Sequence, residues 1–148
     1  MQRPGKQPMR GLCRKRKGGG SRRNGALKYG RIFAGLHTGM LFVFCDEQPY
    51  DLAMLAHSHE EGAPEDEGEV YAFYMHPSIW GTPATKWAFL FCLQRLKDMG
   101  YRSAVVWVLE ENRRDRRFYE KHRFSSECVY QQIEIGAKLR EMRYAKTL

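Results

Sequence analysis

Residues 68–124 read GEVYAFYMHPSIWGTPATKWAFLFCLQRLKDMGYRSAVVWVLEENRRDRRFYEKHRF, and the order of patterns in this stretch decides the fold. Glu69-Val-Tyr-Ala-Phe-Tyr-Met75 has the β-branched and aromatic composition of a strand, and His76-Pro77 ends it. The loop from Ile79 to Lys86 opens a segment with apolar residues at 87, 90, 91, 93, 96 and 99, which predicts a largely buried helix with Trp87 and Phe91 in the core. Pro83 suits its first turn, where an amide has no intrahelical partner, and Gly100 suits the position just past its end. Ala104 to Leu109 is a β-branched run, the pattern of a buried strand. Asn112 is placed to cap a short helix reaching His122, with Phe118 and Tyr119 on its apolar side.

Working outward, Met40–Cys45 and Leu52–Ala56 are apolar runs separated by the polar stretch 46–50, which predicts an antiparallel hairpin. The acidic, Gly- and Pro-containing stretch His57–Gly68 reads as a surface loop. Ser21–Ala34 has weak apolar character and reads as a short helix. Glu127–Ile135 and Leu139–Ala145 flank Gly136-Ala137-Lys138 and predict a terminal hairpin. Together these give an α/β fold: a mixed, mostly antiparallel sheet flanked by helices.

Composition narrows the function classes. A chain of 148 residues, 43% hydrophobic, fits one globular domain. No run of about 18 apolar residues is present, and the first residues lack the apolar segment of a secretory signal, so a cytoplasmic location without membrane contact is expected. Cys13, Cys45, Cys92 and Cys128 are scattered and form no C-x-x-C pair, which points to free thiols. His57 and His59 sit i, i+2 in an acidic loop, a poor ligand geometry, and no metal is expected. The net charge of +8 is unevenly placed: residues 1–31 hold eleven Lys or Arg and no acid, whereas residues 32–148 hold fourteen basic and seventeen acidic residues. Residues 1–20 therefore read as a disordered basic tail ahead of a domain over 21–148. A tail of this charge attracts nucleic acid through phosphate contacts, so residues 1–31 are the candidate surface for such a partner.

The 68–124 stretch closely resembles the GNAT superfamily of N-acetyltransferases. The features that carry the resemblance occur in order: the Phe73-Tyr-Met-His-Pro77 strand end around Met75, the aromatic-plus-Gly loop at Trp80-Gly81, Gly100-Tyr101 after the helix, the Trp107-Val-Leu-Glu-x-Asn112 strand end, and Phe118-Tyr119 beyond it. The similarity runs from about Arg31 to Leu148. It implies acetyl-CoA as cosubstrate and a primary amine of a small molecule, protein amino terminus or lysine as acceptor, in a monomer or homodimer. It further implies that the backbone of Phe73, Tyr74 and Met75 pairs with the pantetheine arm. The loop Gly81, Thr82, Ala84, Thr85 and Lys86 would receive the pyrophosphate at a helix N-terminus, and Asn112 would hydrogen-bond the pantetheine. Tyr119 stands where an acid protonates the departing thiolate, and Glu69 is the candidate base for the amine.

The departures from the family pattern matter equally. The family's (Gln/Arg)-x-x-Gly-x-(Gly/Ala) loop aligns with Trp80-Gly-Thr-Pro-Ala-Thr85. Pro83 brings no amide where a glycine would bring one, and one lost charge-assisted hydrogen bond costs about 1.5–3 kcal/mol. Thr85 adds a branched side chain, and Asp115 adds a negative charge near an anionic cofactor. Arg123 replaces a glycine at a helix end that calls for positive φ, and Asp51 replaces another in the first hairpin. The segment before Arg31 is shorter than the strand and two helices with which the family begins. These departures keep a second reading open: a GNAT-like fold serving as a binding or regulatory module, its basic tail in contact with nucleic acid.

Overall fold

The computed structural model describes residues 8–10, 29–34, 40–45 and 48–148, with side chains from Leu52 onward. They fall into two compact units, residues 1–55 with 72–92 and residues 56–71 with 93–148.

The first unit carries an antiparallel run of strands: β1 (Pro8–Arg10), β2 (Tyr29–Ala34), β3 (Met40–Cys45) and the start of β4 (Gln48–His57). The β3–β4 hairpin is the one predicted, although β4 begins at Gln48, inside the stretch read as a turn. The short helix predicted over Ser21–Ala34 is corrected where it can be seen. Tyr29–Ala34 is strand β2, in register with β3 through Ile32↔Val43 and Phe33↔Phe42. Tyr, Ile and Phe favour a pleated surface, and long-range pairing overrides a weak helical periodicity. Pro8–Arg10, within the basic segment, pairs with Tyr29–Arg31. The remainder of residues 1–28 lies outside the described residues.

Strand β5 (Glu67–Met75) is followed by a 3-10 turn (Pro77–Ile79) and helix α1 (Pro83–Asp98). The helix buries Ala84, Ala88, Phe89, Cys92, Leu93 and Leu96. The predicted core positions need correction: Trp87 and Phe91 are half-buried and stack on each other at 5.5 Å, and Leu90 and Met99 are exposed. The small side chains at 84, 88 and 92 recur every four residues, so the stripe they form lets the backbone approach its neighbours closely. Phe89, fully buried, contributes about 2–3 kcal/mol by leaving water.

The second unit holds β6 (Ser103–Leu109), α2 (Arg113–Lys121), β7 (Ser125–Glu134) and β8 (Lys138–Thr147). Its strand order is β5-β6-β8-β7, with β5–β6 parallel and the other pairs antiparallel. The sheet is thus mixed and mostly antiparallel, as expected. Ala104, Val105, Val106 and Val108 of β6 pack with Met142 and Tyr144 of β8 in the core. Gly68 leaves room for Leu96 and Tyr101 against β5: a Cβ there would lie 2.8 Å from Leu96 Cδ2 and from the Tyr101 ring.

Both helices end in the same turn. In α1 the Gly100 amide donates to the Lys97 carbonyl and the Tyr101 amide to that of Leu96; in α2 Arg123 donates to Glu120 and Phe124 to Tyr119. This is the Schellman arrangement, whose pivot residue takes positive φ. Gly100 does so at 98° and Arg123 at 64°.

Candidate active site

In the first unit, the end of β5 leads into a loop closed on its own carbonyls. Trp80 Nε1 donates to the Met75 carbonyl at 2.9 Å, tying the loop back to the strand. His76 Nδ1 accepts from the Ser78 amide and caps the 3-10 turn. Gly81 turns the chain at φ 69°. The Ile79 carbonyl then accepts from the hydroxyls of both Thr82 and Thr85 at 2.7 Å and from the Thr82 amide at 3.2 Å. The Thr85 amide donates to the Thr82 carbonyl.

This arrangement sorts the loop's donors. Pro83 has none, and the amides of Thr82 and Thr85 are already committed. Lys86 is exposed in the first turn of α1. A helix start interrupted in this way offers an anion fewer donors than an uninterrupted glycine loop does. Phe73 is half-buried and meets Phe89 edge-on at 5.1 Å, whereas Tyr74 is exposed.

In the second unit, the parallel ladder between β5 and β6 is three residues long. It ends at Glu69↔Val105, although β5 runs on to Met75 and β6 to Leu109. Asn112 caps α2 as expected: its Oδ1 accepts from the Asp115 amide at 3.1 Å, and its Nδ2 donates to Asp115 Oδ2 at 2.7 Å. Asp115 therefore completes a reciprocal cap at the positive end of the helix dipole. Asn112 keeps one amide proton and one lone pair for a ligand. Tyr119 is half-buried, its ring edge-on to Phe118 at 5.5 Å and to Phe124 at 6.0 Å.

Glu69 is buried, only 2% exposed. Its Oε2 accepts from His59 Nδ1 at 2.7 Å and from the His59 amide at 3.1 Å. Burial of the imidazole lowers its pKa, but the hydrogen bonds and charges of Glu69, Gln131 and Glu60 outweigh this and raise it above the ordinary value. The sequence analysis did not join His59 to Glu69: ten positions and a loop separate the two, and no local motif links them. A second buried charge, Arg143, donates to Glu67 at 2.6 Å and also pairs with Glu60 and Glu127. These pairs tie β8 to the loop before β5, to the first residue of β5 and to β7. Among the described residues, no group of three His, Cys, Asp or Glu is placed to hold a metal, and no helix is long and apolar enough to cross a membrane.

The sequence-predicted residues thus fall in two sets: Phe73, Tyr74, Met75, Gly81, Thr82, Ala84, Thr85 and Lys86 in the first unit, and Glu69, Asn112 and Tyr119 in the second. Residues 26–124 match the model of the acetyltransferase (GNAT) family. No curated protein sequence matches the chain. Among solved structures it resembles an N-acetyltransferase from Staphylococcus aureus, at 15% identity and a TM-score of 0.63 over 75% of this chain and 68% of that one. It also resembles a ribosomal-protein-alanine N-acetyltransferase from Brucella melitensis, at 13% identity and 0.63 over 75% and 69%. The PaiA N-acetyltransferase from Thermoplasma acidophilum, in complex with coenzyme A, aligns at 18% identity and 0.57 over 75% and 61%.

Proposed function

The chain belongs to the GNAT acetyltransferase family, and from that premise we propose that it transfers an acetyl group from acetyl-CoA directly to a primary amine, with no covalent enzyme intermediate. One observation carries the reading: the β5–β6 ladder stops at Glu69↔Val105 while β5 continues. The backbone at the end of β5 offers amides and carbonyls to an extended, amide-bearing ligand, as in strand addition. The pantetheine arm has that chemistry, and Phe73, Tyr74 and Met75 supply that backbone.

The Gly81 and Ala84 amides with Lys86 fit a pyrophosphate, while Thr82 and Thr85 shape the loop through Ile79. Bound acetyl-CoA supplies the thioester carbonyl and the thiolate that leaves. Asn112 donates a hydrogen bond to the arm, and Tyr119 gives the thiolate its phenolic proton and regains one from the nitrogen that has attacked. Glu69 acts on the amine side, where a proton must leave nitrogen before it attacks.

Calorimetric titration of the full chain with acetyl-CoA tests the reading. Saturable heat and a raised melting temperature are expected. No heat and no shift at millimolar acetyl-CoA overturn it. That result favours the second reading, a GNAT-fold binding module, for which Pro83 and the committed amides of Thr82 and Thr85 speak. Contact of that module with nucleic acid through residues 1–31 rests on charge alone, and most of that segment lies outside the described residues.

A further inference from the structure

Glu69 is poorly placed to meet a substrate itself. It is buried, and both donors on its Oε2 come from one residue, His59. A carboxylate at this position accepts only, so it holds the proton of the imidazole on Nδ1 and puts the neutral ring's lone pair on Nε2, in a setting that includes the Gln131 side chain. The His59 side chain, unlike that of Glu69, is 41% exposed. We infer that His59, oriented by Glu69, is the base that takes the proton from the ammonium form of the acceptor amine, and that Glu69 is its positioning residue. This rests on the acetyl-transfer reading above.

The surroundings suit a cationic acceptor. Glu69 and Tyr71 face the imidazole from β5, Trp107 from β6, Gln131 from β7 and Glu60 from the loop. The Tyr71 ring lies 5.6 Å from that of His59 and the Trp107 ring 6.2 Å. Aromatic faces beside carboxylates attract an ammonium group. Arg143 is already paired with Glu60 and Glu67, so its charge is largely offset within the unit. Trp107 Nε1 is buried with no hydrogen-bond partner among the described residues, an indole donor left over beside the pair.

The step balances without any redox partner. One proton passes from the ammonium nitrogen to His59 Nε2, leaving a neutral amine with its lone pair. The resulting imidazolium keeps its Nδ1–H on Glu69 and returns the added proton to water after each turnover. Because only the neutral ring accepts a proton, the rate rises with pH through the pKa of His59, which Glu69 holds above that of a free imidazole.

The test is kcat/KM against pH for the full chain with acetyl-CoA and three primary amines: a lysine peptide, a peptide with a free amino-terminal alanine, and a short diamine. His59→Asn keeps an amide donor for Glu69 but removes the titrating ring. It is expected to lose about a hundredfold in kcat/KM and to lose the acid limb, with the KM for acetyl-CoA near wild type and a melting temperature that approaches wild type only at mildly alkaline pH. Glu69→Gln is expected to move the acid limb to lower pH. A His59→Asn enzyme with the wild-type profile overturns the inference. If that variant fails to fold, an unmoved acid limb in Glu69→Gln overturns it instead. Wild-type protein that turns over none of the amines overturns the acetyl-transfer reading, and this inference with it.

Discussion

The Phe124 amide donates to the Tyr119 carbonyl at 3.1 Å while the two rings meet edge-on at 6.0 Å. One turn thus ends α2 and fixes the phenol that the proposed mechanism uses as an acid. The pivot between them is Arg123 at φ 64°, where a Cβ crowds the following carbonyl oxygen.

Arg123→Gly is therefore expected to stabilise the protein by about 1 kcal/mol. The Arg123 side chain is exposed, so little packing is lost in return. Urea unfolding of the two proteins measures it. Equal midpoints would show that the left-handed turn costs arginine nothing here.

Gly68→Ala acts in the other direction. The new methyl would stand 2.8 Å from Leu96 Cδ2 and from the Tyr101 ring, and a ring held in the packing cannot step aside as a side-chain tip does. A loss of about 1–3 kcal/mol is expected from overpacking, read again from urea midpoints.

Pro83→Ala restores an amide at the first position of α1 without the backbone freedom of glycine. It is expected to tighten acetyl-CoA binding by about tenfold, the worth of one charge-assisted hydrogen bond at the low end of its range. Calorimetry on both proteins checks this. Unchanged affinity would mean that the phosphates do not approach this turn.

Stability should depend on pH through His59. Its folded pKa is raised by Glu69, Gln131 and Glu60 against the opposing effect of burial. The contribution is thus fully present below the unfolded imidazole value of about 6.5 and is lost as pH rises through the folded pKa. The wild-type advantage over His59→Asn in urea should therefore shrink from mildly acidic to mildly alkaline pH. An advantage that grows with pH would contradict the pairing.

How much of this was legible in the sequence follows from the range of each interaction. The β3–β4 hairpin, α1 with Pro83 and Gly100, the Asn112 cap and the β7–β8 hairpin are all written in local patterns, and the chain forms them. The positive φ of Arg123 was legible too, because a helix end calls for it whatever residue is present. Tyr29–Ala34 was misread because its strand character comes from pairing with β3 rather than from its own periodicity. The stacked, half-exposed Trp87 and Phe91 show that apolar spacing marks a face without saying which part is covered. In the site, the closure of Thr82 and Thr85 on Ile79 and the joining of His59 to Glu69 need three-dimensional folding to appear.

The most direct measurement is amine-dependent release of the coenzyme A thiol from acetyl-CoA by the wild-type full chain. Thiol release is predicted to require an amine, to scale with protein concentration, and to match acetylated amine one for one. Acetyl-CoA that stays intact with every primary amine offered, at concentrations where it saturates the protein, would contradict acetyl transfer by this chain.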